Sequence, residues 1–198
     1  MEIKFIGEFE VKSGKMLVAD PGSNIGTSCA GTLENVRNGI YYAAVLHNDF
    51  SDCNMRNYSL IIIHSSLVQT PDNFDYVYAV LDKHSFKATD FDIIVDSGQA
   101  GFFDLAAFRQ DSIITEDTPI CNEIPVSGEA GERFYSACCY QTQKTEINAG
   151  VIPCGAVSTS GSGNGVYACF VAGNDENELF AAALKFISKA DDSEQYSN

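Results

Sequence analysis

The chain has 198 residues, 45% of them hydrophobic and 20% charged, a balance that suits one globular domain with a core large enough to fold without metal or disulfide and that excludes a disordered chain. Its 27 acidic and 12 basic residues leave a net charge of −15, shared by both halves of the chain. That charge repels phosphate backbones, excludes nucleic acid as a partner and draws basic partners inward.

Met1–Ile6 lacks the basic stretch, long apolar run and small-residue cleavage site of a secretory signal. Phe5–Val11 and Met16–Ala19 flank Lys12-Ser13-Gly14-Lys15 and read as a hairpin. Asp20-Pro21-Gly22-Ser23-Asn24 then breaks the chain, and residues 22–35, rich in Gly, Ser, Thr and Asn, read as a loop. Arg37-Asn38-Gly39 is a second tight turn, launching the strand Ile40–Leu46. Ser59–His64, Tyr76–Leu81 and Phe91–Val95 are further strands, the last stopped by Asp96-Ser97-Gly98.

Phe102–Phe108 reads as a short helix with Asp104 near its start. Glu129–Thr142 is the clearest helix: Phe134, Ala137, Cys138 and Gln141 recur at spacings of three and four, and Glu129 and Glu132 sit where the dipole favours acids. Gly150–Val157 and Val166–Val171 read as a hairpin through the Gly-rich Ser158–Gly165. The alanines of Leu179–Ile187 favour helix, but its place after that hairpin favours a closing strand, the reading adopted. The longest apolar runs, Leu60–Ile63 and Leu179–Leu184, are too short to span a bilayer. No internal repeat and no dividing linker is evident, so residues 1–189 are expected to form a single β-rich domain and residues 190–198 a flexible tail. The expected fold is mainly β, a β-rich α+β domain with antiparallel sandwich or barrel-like sheets and one or two short helices.

Seven cysteines, an odd number without a Cys-x-x-Cys pair or a histidine at ligand spacing, argue against a disulfide framework and a zinc site. They read as reduced, which places the protein in the cytoplasm. Ile93-Ile94-Val95-Asp96-Ser97-Gly98 resembles half of an aspartic protease site, and Asp20 follows a second apolar run. Yet Pro21 stands where that site needs a hydroxyl residue, and Gln99 where it uses a small one. Asp96 and Asp104 flank Ser97–Phe103 and could meet at one rim as paired acids or a hard-cation site, or serve only as turn and cap residues, the reading favoured. Gly161-Ser162-Gly163-Asn164-Gly165 leads into a strand and lacks a following lysine, so it reads as a hairpin tip rather than a phosphate cradle. Cys138 packs in the core, and His64 ends a strand.

The segments Asp96-Ser97-Gly98-Gln99-Ala100-Gly101-Phe102-Phe103-Asp104, Phe134-Tyr135-Ser136-Ala137-Cys138-Cys139 and Ser158-Thr159-Ser160-Gly161-Ser162-Gly163-Asn164-Gly165-Val166-Tyr167 resemble signatures of the bacterial domain-of-unknown-function family 4241. Ser13-Gly14-Lys15, Ala19-Asp20-Pro21 and Gly39-Ile40-Tyr41 are similar to its opening strands. The resemblance spans roughly residues 11–187, with Asn164 where Asp is expected. It implies a single β-rich domain and transfers no activity.

The function expected from charge and the lack of a complete catalytic constellation is a non-enzymatic binding or immunity-type protein that recognises a basic protein partner. No cofactor, metal, nucleic acid or membrane is expected. The alternative is a hydrolase or small-ligand enzyme using Asp96, Asp104 and Asp20, with Ser97, Gly98 and Gln99 near the ligand. A structural or assembly domain is a third reading.

Overall fold

The computed structural model describes residues 2–27, 30–48, 56–68 and 84–187. The expected strand at Tyr76–Leu81, the tail, Cys29 and Cys53 lie outside the described residues.

Two antiparallel sheets face each other. The larger has the order β1 (Glu2–Val11), β4 (Gly39–Asn48), β5 (Arg56–His64), β11 (Leu179–Lys185), β10 (Gly165–Gly173), β6 (Lys87–Val95). The smaller has the order β3 (Ala30–Leu33), β2 (Met16–Ala19), β7 (Gln99–Asp104), β9 (Gly155–Thr159), β8 (Ala149–Ile152). The expected mainly-β fold is thus a two-sheet sandwich, with α1 (Glu132–Gln143) packed on the outside of the smaller sheet.

Strand alternation builds three layers of core. Met16, Val18, Leu60, Ile62, Ala100, Phe102 and Leu184 point between the sheets. Leu17, Ala19 and Phe103 point the other way, against Phe134, Ala137 and Cys138 of α1. Ile61 and Ile63 face outward from the larger sheet into a third cluster with Ala44 and Phe180. A strand covered on both faces reads as a continuous apolar run, not an alternating one. That is why Phe102 and Phe103, both fully buried, belong to β7 and not to the short helix expected over Phe102–Phe108; beyond Asp104 the chain only turns.

Three further expectations change. β1 and β2 do not pair: β1 pairs with β4, and β2 with β3 and β7, so Lys12–Lys15 is a corner between sheets. The turn expected over Ser158–Gly165 overlaps the ends of β9 and β10, and residues 160–164 between them are likewise a crossover, because β9 pairs with β7 and β8 whereas β10 pairs with β6 and β11. Residues 30–33 of the expected loop are β3, placed where Gly31 admits the Phe91 ring: a Cβ there would lie 1.9 Å from it. The closing strand expected at Leu179–Ile187 is present as β11.

The two halves of the sandwich are alike, in contrast to the expected absence of an internal repeat. Val11-Lys12-Ser13-Gly14 ends β1 and Val95-Asp96-Ser97-Gly98 ends β6; six residues after each glycine stands an aspartate, Asp20 and Asp104. Gly14 and Gly98 share the left-handed conformation, with φ of 70° and 72°. Asn38-Gly39-Ile40-Tyr41 opens β4 as Asn164-Gly165-Val166-Tyr167 opens β10. Register repeats as well: Phe9 faces Tyr41 and Val11 faces Gly39, as Ile93 faces Tyr167 and Val95 faces Gly165. Tyr41 and Tyr167 each donate to the carbonyl four residues back, on Arg37 and Gly163, at 3.0 and 2.7 Å. The halves exchange about the pairs Val18–Phe102 in the small sheet and Ile61–Ala183 in the large one. The connection between β2 and β3 is short (20–29), whereas that between β7 and β9 (105–154) carries α1 and β8.

Candidate functional site

The aspartates singled out in the sequence occupy equivalent places in the two halves, each holding the turn of the other. Asp20, at the end of β2, is 2% exposed and accepts from the backbone N–H groups of Asp96 (2.9 Å) and Ser97 (2.7 Å) on Oδ2. Its Oδ1 accepts from Gly22 N–H (2.8 Å) and the Ser97 hydroxyl (2.7 Å). Asp104, 3% exposed at the end of β7, accepts from Lys12 and Ser13 N–H on Oδ2 (2.6 and 2.9 Å) and from Ala106 N–H on Oδ1 (2.9 Å). A carboxylate bonded to several N–H groups satisfies donors that a tight corner would otherwise leave unpaired.

Asp96 and Asp104 do not share a rim. They lie at opposite ends of β7, roughly 20 Å apart at about 3.4 Å per residue. Asp20 meets the backbone of Asp96, in contrast to the shared proton of an aspartic protease pair. Asp104 caps no helix; it caps the β1–β2 corner.

Gln99 is buried and ties β7 to α1: its side-chain amide N–H reaches Cys139 Sγ (3.4 Å), and its Oε1 accepts from the Thr142 hydroxyl (2.9 Å). Ser97 and Gly98 form the adjoining turn, with Ser97 exposed. Tyr135 of α1 covers this end of the sheet; its ring lies 3.4 Å from where a Cβ on Gly22 would stand. Burial, then the proximity of Cys139 and Asp20, push the Tyr135 phenol up to about 12. The sequence places Tyr135 and Cys139 in a signature segment and Thr142 at the end of the expected helix but gives none of them a place at this site, because only the fold brings α1 against the turn at Asp96–Gly98.

At the Asp104 end a cleft of about 490 Å³ opens instead, lined by Glu10, Lys12, Asp104, Gln110, Ser112 and Cys154 among others. Lys12 and Glu10 pair at 2.8 Å on its edge. Burial, then Asp104, raise the Cys154 thiol to about 12, so it is protonated at neutral pH. His64 ends β5, with Nε2 at Asn38 O (3.0 Å) and Nδ1 at the Ser66 hydroxyl (2.8 Å), and burial lowers its pKa. Among the described residues no three His, Cys, Asp or Glu side chains converge as metal ligands, and no helix is long and apolar enough to cross a membrane.

The connection particular to the second half presents a third feature. Residues 115–130 carry Glu116, Asp117, Glu123 and Glu129 and no lysine or arginine. Irregular in structure, the segment is held by its neighbours. Arg133 donates to Ile114 O and Thr115 O, and Ser136 to Cys121 O. Arg109 donates to Ala130 O, and Glu132 accepts from the N–H groups of Ser127, Gly128 and Glu129. Glu123 pairs with Lys144 (2.7 Å) and accepts from the Cys121 thiol; these contacts, the thiol first, bring it down to about 2. Val126 stands 45% exposed among these acids.

The protein is therefore a β-sandwich of two alike halves, locked by reciprocal aspartates and carrying one helical insertion. Residues 9–183 match the family described as "Protein of unknown function (DUF4241)", and the chain belongs to that family. No curated protein and no solved structure matches it.

Proposed function

We propose that the protein is a non-enzymatic binding protein of the immunity type, which recognises a basic protein through the exposed face of residues 115–130. One observation carries this reading. Within the insertion that distinguishes the second half, residues 115–130 carry four acids and no basic residue, and are held in place by hydrogen bonds from α1 and Arg109. A face ordered before binding loses little entropy on association, and clustered charge speeds encounter with an opposite partner. Val126 and Pro125 supply an apolar centre for the contact. The use of Asp20 and Asp104 as corner clamps supports the same reading, since these carboxylates already serve the fold. The five described cysteines, all free and buried, accord with a reducing cytoplasm.

Capture of partners from the source cell should be strong at low ionic strength and weaken about tenfold or more near 0.5 M salt. The variant Glu116→Gln/Asp117→Asn/Glu129→Gln should stay folded and lose the same partner. If the wild-type protein retains no basic protein at low salt, or the triple variant retains it undiminished, the reading is wrong.

A further inference from the structure

The pseudo-symmetry makes each half a control for the other, and the two buried aspartates differ in their donors. Asp20 Oδ1 has two donors, Gly22 N–H and the Ser97 hydroxyl. Its counterpart Asp104 Oδ1 has the equivalent backbone donor, Ala106 N–H, but not the hydroxyl. Ser13, which corresponds to Ser97, instead turns its hydroxyl to Lys15 O at 2.9 Å. A buried carboxylate has about four acceptor positions. Asp20 has four hydrogen bonds, whereas Asp104 has three among the described residues.

The surroundings differ in the same sense. Over Gly22 lies the Tyr135 ring; over Ala106, the residue in the equivalent place, lies the cleft of about 490 Å³. Tyr135, Cys139 and Thr142 of α1 lie at the Asp20 end of the small sheet, whereas the residues lining the cleft at the Asp104 end come from outside α1. The cleft wall combines apolar surface from Ala106, Ala107, Ile113 and Pro153 with the polar groups of Gln110 and Ser112. Such a mixture suits a small organic molecule whose ring packs on the wall while a few polar groups orient it.

We infer that the cleft beside Asp104 is a binding site for a small aromatic ligand bearing a hydroxyl donor, its ring standing where Tyr135 stands in the other half and its O–H completing the hydrogen bonds of Asp104. The negative charge of Asp104 and Glu10, offset only by Lys12, favours a neutral phenol over a carboxylate or phosphate. The site is separate from the acidic face of residues 115–130, so partner capture and ligand binding can fail independently.

The probe is p-cresol, titrated into the ¹⁵N-labelled full chain, with toluene as the matched ring lacking the donor. Saturable shifts are expected at the amides of Ala106, Ala107 and Gln110, with toluene at least tenfold weaker. Ser112→Trp, a substitution at an exposed position on the cleft wall that spares the Asp104 clamp, should abolish the shifts while the remaining spectrum is retained. Absence of saturable shifts at these amides, equal binding of toluene, or unchanged binding by a folded Ser112→Trp protein would each overturn the inference.

Discussion

At the scale of single residues, Asp20 and Asp104 illustrate how little an acid's neighbours in sequence say about its role. Each follows an apolar strand beside turn-forming residues, a pattern shared by catalytic acids and by turn acids. The partners that decide between the two lie 76 to 92 positions away. Asp20→Ala and Asp104→Ala each strand three backbone N–H groups at a corner. Each variant should lose roughly 3 kcal/mol or more, at about 1–3 kcal/mol for a buried donor left unpaired, read as a lower urea midpoint. Gly14 and Gly98 offer a matched pair. Alanine at either site must adopt a left-handed φ near 70°, at a cost of about 1–2 kcal/mol. Both sites have room for the methyl group, with no atom closer than 3.8 Å to it. The two variants should therefore be destabilised by similar amounts in parallel denaturation experiments.

Among the elements, α1 shows where local periodicity suffices and where it fails. The spacing of Phe134, Ala137 and Cys138 marks the buried face correctly. The start expected at Glu129 is displaced to Glu132 because Gly131, with φ of 84°, serves as the N-cap without a side chain. The capping acceptor is supplied from elsewhere: Asp111 accepts from the N–H groups of Gly131 and Phe134, both at 2.8 Å. Asp111→Ala should fray the first turn and destabilise the protein by about 1 kcal/mol, as loss of an N-cap does, with faster amide exchange at residues 131–134. The hairpins expected at Lys12–Lys15 and Ser158–Gly165 fail for a related reason. Gly and Ser signal that the chain reverses, but the same residues serve a hairpin or a corner between sheets, and the choice lies in which strands gain burial by pairing.

For the molecule as a whole, the doubled architecture organises both the core and its titration. Cys138, Cys154 and Cys169 are buried thiols whose ionisation is opposed first of all by desolvation, with Cys154 and Cys169 both raised from 9.0 to about 12. Tyr135 is raised from 10.0 to about 12. A group whose folded pKa lies above its unfolded value adds stability that is present in full below the unfolded value and disappears as pH climbs to the folded one. Stability should therefore fall steadily between about pH 9 and pH 12, with Cys154 and Cys169 each contributing on the order of 1 kcal/mol per pH unit over that interval. Urea midpoints measured at pH 7, 9, 10 and 11 check this; a midpoint unchanged at pH 11 would contradict it. The same burial should make these thiols slow to react with a disulfide reagent until the protein unfolds.

Amino-acid order by itself determined the strands β2, β4, β5, β6, β10 and β11, the helix, the acidity and the family signature, because alternation, turn residues and charge are local properties; β3 and β7, read as loop and helix, show its limit. It also contained the doubled Ser-Gly/Asp and Asn-Gly/Tyr patterns, too short and too widely spaced to stand out before their registers were seen to coincide. Only the tertiary structure decided which strands share a sheet, that two acids became reciprocal clamps, and that one end of the small sheet is filled by Tyr135 while the other lies open. The physical reason is that hydrogen-bond partners and burial are set by pairing across long stretches of chain, where local preferences leave several arrangements equal and the shared core selects one.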